Sequence, residues 1–193
     1  MASTWRQKKQ RPGLQDALSP TANALSARRV LRDCYRAFHE LKSAEDGAQF
    51  RLRWITVIVL LRAVGHVLEK VDARRSPILH DAVTAAWARL RANRYANLIF
   101  FEFIERERNL VLKEYEFDGN VIMTSAGDSP LSARHAMRVG DRVIYQLDLL
   151  SEALRWWEGH LGDIEGDAES RMKRAQATAS TPARKARRDR LRG

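Results

Sequence analysis

The 193-residue sequence predicts an all-α protein, an up-and-down bundle of four to five helices with disordered basic ends. Apolar residues recur every three or four positions through most of residues 23–166, which are predicted to form the helical bundle domain. Residues 1–22 and 167–193 are basic and offer little to bury, which predicts disorder at both ends. Ser76-Pro77 supplies a clear helix start inside the bundle.

The first two helices are predicted from apolar periodicity. In residues 23–42 one stripe recurs at helical spacing, formed by Val30, Leu31, Cys34, Phe38 and Leu41. Residues 48–71 contain the run WITVIVLL, whose β-branched residues leave a strand open as the alternative. The apolar pattern continues to Val71, a length that favours a helix and the most buried element.

After Pro77 the helical pattern runs to about Glu116, either as one long helix or as two helices separated near Asn93. The end of this segment is open to a second interpretation. LVLKEYEF, residues 110–117, alternates and is followed by Asp-Gly-Asn and VIMT, which is also typical of a β-hairpin.

The last part of the predicted bundle contains a connection and a closing helix. Residues 118–140 are rich in Gly, Asp and Ser and are predicted to be a long loop with a short helix around 132–138. Asp141 is predicted to cap the closing helix, and Gly162 to end it.

The positive charge lies at the two ends of the chain. The formal net charge is +10, of which residues 1–13 carry +4 and residues 171–193 carry +8, so residues 14–170 carry −2. The body is therefore not a basic nucleic-acid-binding domain. Salt-dependent, non-specific contact with RNA phosphates is predicted for four residues of the tail, namely Arg184, Lys185, Arg187 and Arg188.

Several classes of chemistry have no support in the sequence. It lacks a phosphate-binding loop, a dinucleotide fingerprint, an HExxH motif, paired CxxC motifs and a GxSxG elbow. The five histidines have no metal-ligand spacing, so we expect neither a metal nor a cofactor. A single cysteine, no secretory leader and no apolar run long enough for a bilayer predict a cytoplasmic protein without membrane contact.

The most informative segment is FFEFIERERNLVLKEY, residues 100–115. Arg108 and Asn109 follow an apolar run, and Lys113 stands five positions after Arg108. This pattern resembles the signature of the HEPN superfamily, helical bundles in which an Arg, often followed by a polar residue, precedes a catalytic His by five positions. The resemblance implies a homodimer that binds RNA, with metal-independent ribonuclease activity, and a toxin–antitoxin or phage-defence setting with an antitoxin or other protein partner.

Lys113 occupies the position of the family's catalytic histidine. A lysine with its ordinary pKa of about 10.4 remains protonated at neutral pH, so it binds phosphate but is a poor base. The sequence therefore leaves two interpretations open for an HEPN-like protein, an atypical ribonuclease and a degenerate form that binds RNA without cleaving it.

Arg62 and His66 form a second candidate group. Their spacing of four places them on one helix face, and Gly65 between them allows close approach of a backbone or ligand. One interpretation is that His66 supplies the titrating group that position 113 lacks. The other is a structural network with acids of the third helix, for which the candidates are Glu102, Glu105 and Glu107.

Two functional hypotheses follow. The first is an HEPN-like RNA-binding protein with Arg108, Asn109, Lys113, His66 and Arg62 as catalytic candidates. The second is a non-enzymatic helical interaction or scaffold protein whose basic ends contact RNA or another nucleic acid.

Overall fold

The computed structural model describes the backbone of residues 21–113, 121–123 and 135–190, and the side chains of residues 21–111 and 136–179. Its helices are α1 (Leu25–Lys42), α2 (Gly47–Val67), α3 (Ala73–Arg75), α4 (Pro77–Ala92), α5 (Glu105–Lys113) and α6 (Gln146–Arg190). Shorter turns are π-helical at Leu68–Asp72 and Ile99–Ile104 and 3₁₀ at Tyr95–Asn97. The strands are β1 (Val121–Met123), β2 (His135–Val139) and β3 (Arg142–Tyr145).

The architecture is an all-α helical bundle, as predicted, with one small sheet at its side. α1 packs mainly on α2, and α6 packs on α4 and α1. A single core joins the helices and buries the largest apolar side chains, among them Trp54, Trp157, Phe103, Ile58 and Leu149. Cys34 lies within this core on α1, where burial raises the pKa of its thiol to about 12.

The segment with the β-branched run is a helix, as predicted. The buried residues of α2 are Trp54, Val57, Ile58, Leu61, Val64 and Gly65. Its exposed face is mixed, with apolar Leu52 and Val59 beside polar Thr56 and His66. The helix starts at Asp46, whose Oδ1 accepts a hydrogen bond from the Gln49 N–H at 2.8 Å. The π-helical turn Leu68–Asp72 extends it directly into α3.

Asp72, in that π-helical turn, caps another helix. It is 3% exposed, and its Oδ1 and Oδ2 accept hydrogen bonds from the Ser26 N–H at 3.1 Å and the Ala27 N–H at 2.8 Å. These are first-turn amides of α1, whose preceding residue Ala24 has no side chain that could cap them. The start of α1 is therefore capped by a carboxylate from the π-helical turn that follows α2.

The third predicted helix is two helices. Ser76 Oγ accepts a hydrogen bond from the Leu79 N–H at 3.3 Å and Pro77 opens α4, as the sequence predicts. α4 ends at Ala92, and Asn93 Oδ1 then accepts from the Ala96 N–H at 3.2 Å in the turn that follows. The separation near Asn93 is thus the correct alternative.

The sheet corrects the predicted connection. β1 pairs with β2 and β2 with β3, both antiparallel. Residues 135–138 are therefore strand, and the predicted short helix around 132–138 is wrong where the structure describes it. Gly140, with φ 57°, and Asp141 form the turn between β2 and β3, so Asp141 does not cap the last helix. Residues 105–113 are helical, so they do not form the alternative hairpin with residues 121–123.

The last helix is longer than predicted. α6 passes through Gly162 and continues to Arg190, so Gly162 does not stop it. Ile164 and Ala168 are fully buried, so the buried face of α6 continues past residue 166, the domain boundary predicted from the sequence. The predicted N-terminal segment 1–22 lies outside the described residues except for its last two positions.

An aromatic layer joins α4, α6 and the π-helical turn before α5. Trp157 is fully buried, and its ring centroid lies 6.3 Å from that of Trp87 and 6.1 Å from that of Phe100. The His160 ring stacks on the Trp156 ring with centroids 4.7 Å apart. Burial lowers the pKa of His160 to about 4, so this imidazole is neutral at physiological pH.

Candidate functional site

α5 carries the Arg-Asn pair that the sequence singles out. It follows the π-helical turn Ile99–Ile104, whose Phe103 and Ile104 are buried and dock the segment against the core. Arg108 is half-buried, and its Nη1 donates a hydrogen bond to Oδ1 of Asn109 at 2.7 Å. The two predicted residues are therefore in contact, with the amide orienting the guanidinium. The Lys113 side chain lies outside the described side chains.

Arg108 differs from other half-buried arginines of the bundle. Arg28 and Arg171 are neutralised by carboxylates, with nitrogen–oxygen distances of 2.7 Å to Glu165 and 3.1 Å to Asp167. In the described part of the chain, no ion pair joins Arg108 to an acidic side chain. Within the described residues, the partner of this guanidinium is therefore an amide oxygen and not a carboxylate.

Glu107, next to Arg108 in sequence, points into the core. It is 1% exposed, and its Oε2 has no hydrogen-bond partner among the described residues. Burial raises the pKa of this carboxyl to about 7, against a smaller opposing effect of the Arg106 charge. The burial of Glu107 could have been predicted from the sequence, because Phe103, Glu107 and Val111 are spaced by four and share one helix face. All three are buried.

The Arg62 and His66 pair lies on α2 as predicted, with His66 exposed and Arg62 half-buried. Arg62 Nε is buried and has no hydrogen-bond partner among the described residues. The acid close to the pair is Glu69, one helical turn beyond His66. The pKa of Glu69 is lowered mainly by a hydrogen bond from Lys70, then by the charges of Lys70, His66 and Arg62.

The acids proposed as partners of Arg62 and His66 do not pair with them among the described contacts. Glu102 Oε2 instead accepts a hydrogen bond from the Gly140 N–H at 2.6 Å, which ties the β2–β3 turn to the bundle. Within the described residues, no hydrogen bond joins Arg62 or His66 to Arg108 or Asn109. The five candidate residues thus form two groups on separate helices.

The space beside Gly65 is occupied by the indole ring of Trp157. A Cβ built at Gly65 would lie 2.9 Å from Cη2 of Trp157, closer than real Cβ contacts. The close approach predicted at Gly65 is therefore made by a core side chain.

The four candidate RNA-binding residues of the tail lie on the last turns of α6. Helical spacing places Arg184, Arg187 and Arg188 along one face of this helix and Lys185 beside it. Their side chains lie outside the described ones. These four positions therefore lie on neighbouring turns of the same helix.

Membrane spans and metal sites are both absent from the described residues. No helix of residues 21–113 or 135–190 is long and apolar enough to cross a membrane. Across the described ranges, no three His, Cys, Asp or Glu side chains are grouped so that they could hold a metal ion.

Comparison with known proteins identified no similar protein. No protein-family model matches the sequence, and neither the curated proteins nor the solved structures contain a match.

Proposed function

We propose that this chain is an HEPN-like helical protein that binds RNA, with Arg108 as a phosphate-contacting cation. One observation carries the proposal: the half-buried Arg108 guanidinium is oriented by Asn109 and is not neutralised by a described acid. A guanidinium held in this way is suited to a phosphodiester, because its planar fork of donors matches phosphate oxygens.

Cleavage of the bound RNA would be metal-independent and would need two kinds of group. A cation must stabilise the charge that develops on the phosphorus centre, and a titratable group must take the proton of the ribose 2′-OH. Arg108 suits the first role. His66 is the candidate for the second, because it is exposed and histidine is the side chain that ordinarily titrates near neutrality.

Two further expectations rest on the HEPN resemblance alone. They are a homodimer and a toxin–antitoxin or phage-defence setting with an antitoxin or another protein partner. The cytoplasmic location and the absence of a cofactor stay predictions of the sequence.

The proposal is tested by removing the Arg108 charge. Arg108→Ala should weaken binding of a fluorescein-labelled structured RNA about tenfold, the cost of one charge-assisted contact. The matched control is Arg36→Ala, because Arg36 is exposed and lies on α1, a helix that carries none of the candidate residues. Fluorescence anisotropy measures affinity, and far-UV circular dichroism checks that both variants fold.

A parallel assay with EDTA present separates the ribonuclease from the degenerate form. Cleavage that His66→Ala and Arg108→Ala both abolish identifies an enzyme that uses both groups. Binding without cleavage by any variant identifies the non-catalytic form. Equal RNA affinities for wild type, Arg108→Ala and Arg36→Ala would remove the basis of the proposal.

The second hypothesis, a non-enzymatic interaction protein, is favoured by the length of α6. Ala168 is the last fully buried residue among the described side chains of this helix, and residues 173–179 are exposed. This part of α6 therefore projects beyond the core that α6 shares with the described helices. Such an arm suits a partner surface or a nucleic acid.

A further inference from the structure

A cleft lined by none of the five catalytic candidates opens between α4 and the segment that joins α2 to α3. It has a volume of about 420 Å³, within the range of small-molecule sites. Its lining residues come from two stretches of chain and are Glu69, Lys70, Ala73, Arg74, His80, Val83, Thr84, Trp87 and Arg91.

Two regular features build this cleft. On α4, His80, Thr84, Trp87 and Arg91 recur at spacings of four, three and four, so one helix face forms a continuous wall. The other wall begins in the π-helical turn Leu68–Asp72, whose wider winding changes the direction of residues relative to a regular α-helix.

The rim of the cleft is cationic. Lys70, Arg74 and Arg91 outnumber the single carboxylate in the lining, that of Glu69, and Lys70 Nζ donates a hydrogen bond to this carboxylate. Arg74 and Arg91 are exposed, and neither forms an ion pair with an acid in the described part of the chain. Two arginine forks therefore remain for an anion that enters the cleft.

The floor of the cleft is apolar. Ala73 and Val83 are buried, and the half-buried indole of Trp87 lies beside them. A free inorganic anion would leave this floor uncovered. A ligand that carries both a phosphate and a flat ring would fill the rim and the floor together.

We propose that this cleft binds a nucleotide, with its phosphate between Arg74 and Arg91 and its base against the floor formed by Ala73, Val83 and Trp87. The nucleotide is either free or one unit of an RNA strand, since both offer the same chemistry. The inference stands apart from the proposed role of Arg108, because the cleft includes no residue of α5.

The test uses the full-length protein and three ligands: AMP, a ten-nucleotide RNA and inorganic phosphate. Isothermal titration calorimetry should show AMP or RNA binding more tightly than phosphate, because only these two cover the floor. Arg74→Ala and Arg91→Ala should each weaken this binding about tenfold. Thr84→Glu, which adds a carboxylate inside the rim, should abolish it.

Two control variants change the same charges elsewhere. Arg36→Ala removes an exposed arginine from α1, and Thr56→Glu adds a carboxylate to an exposed threonine of α2. Both should bind like the wild type. Circular dichroism and the urea midpoint confirm folding of each variant.

The results of this binding test can be distinguished from those of the Arg108→Ala test of the proposed function. If Thr84→Glu abolishes AMP binding and Arg108→Ala keeps it, the ligand of the cleft is a free nucleotide. If Thr84→Glu abolishes RNA binding, the ligand is one unit of an RNA strand. No detectable binding of AMP or RNA would overturn the inference. So would equal affinities of wild type and Thr84→Glu for every ligand that binds.

Discussion

At the scale of single residues, the bundle contains ionisable groups whose charges are controlled by burial. The pKa of Glu107 is raised to about 7 and that of His160 lowered to about 4, in each case mainly because burial disfavours the charged form. His160 is therefore neutral throughout the physiological range, and Glu107 is largely neutral below about pH 7. Their effects on stability have opposite dependence on pH.

For Glu107, the folded protein holds the proton more tightly than the unfolded chain, whose carboxyl has a pKa of 4.5. Its favourable contribution is full below about pH 4.5 and is lost as pH rises through 7. His160 acts in reverse: its contribution is full above 6.5 and is lost as pH falls through 4. The two partly cancel in the wild type.

Glu107→Gln should remove the pH-dependent contribution of Glu107 and leave that of His160. Relative to wild type, the variant should gain up to about 3 kcal/mol in free energy of unfolding between about pH 4.5 and pH 7.5, because the amide never ionises. Urea denaturation at several pH values measures the difference. Glu45→Gln, at an exposed position, is the control and should parallel the wild type. Parallel curves for Glu107→Gln and wild type would contradict the assignment.

Gly65 and Gly159 form a pair that separates packing from helix propensity. Gly65→Ala should lower the free energy of unfolding by about 1 kcal/mol or more, since overpacking against Trp157 outweighs the better helix propensity of alanine. Gly159→Ala should raise it by about 0.5–1 kcal/mol, because a Cβ there meets no atom within 4 Å. Urea denaturation compares the two variants. A stabilised Gly65→Ala variant would show that the Trp157 ring moves freely.

At the scale of elements, α1 is capped by Asp72, which is distant in sequence, whereas α2 is capped by Asp46, the residue directly before it. Asp72→Ala should cost about 2–3 kcal/mol, because it leaves two amides at the start of α1 without an acceptor. Asp46→Ala removes one exposed cap from α2 and should cost about 1 kcal/mol. Chemical denaturation measures both. Equal costs would mean that water reaches the start of α1 and replaces Asp72.

The sequence was sufficient for elements whose burial pattern is local. α1 and α4 show one apolar stripe and α4 also has its Ser-Pro start, so their positions were predictable within a few residues. The β2–β3 hairpin was not predicted because Gly140-Asp141 also resembles a helix start, and only the positive φ of Gly140 distinguishes a turn. For α6, Leu161, Ile164 and Ala168 continue the apolar period past Gly162, and one glycine costs a long packed helix little.

The candidate sites were predictable to different degrees. Arg108 and Asn109 are neighbours in sequence, so a motif could identify their contact. The cationic cleft combines Arg74 with Arg91, which belong to different helices and share no motif. Only the packing of α4 against the π-helical turn Leu68–Asp72 and α3 brings them into one cleft.

At the scale of the whole molecule, charge is concentrated on one end of a helix. The last 14 residues include six basic side chains, those of Arg184, Lys185, Arg187, Arg188, Arg190 and Arg192, and a single acid, Asp189. Most of these positions follow one another on α6 beyond the buried core. The bundle and this basic arm can therefore be separated experimentally.

A protein that ends at Ala179 keeps every residue of α6 that is described as buried and removes the basic residues 180–193, which are the basic arm. Its RNA affinity should fall, and the slope of log affinity against log salt should become shallower by about one for each phosphate that the arm binds in the full-length protein. Anisotropy titrations between about 50 and 200 mM salt measure the slope. The triple variant Arg29→Ala, Arg32→Ala, Arg36→Ala, which lowers the net charge by three on α1, is the control for loss of positive charge elsewhere. An unchanged slope in the shortened protein would place RNA binding elsewhere.

The start of α1 also depends on the far end of the bundle. Glu165 of α6 accepts a hydrogen bond from the Ala24 N–H at 2.9 Å and binds the Arg28 guanidinium, across 141 residues of sequence. During synthesis from the N-terminus, the first helix therefore leaves the ribosome before the carboxylate that completes it has been made. We expect α1 to gain its full protection against amide exchange only after α6 is released, so that the last helix governs when folding ends.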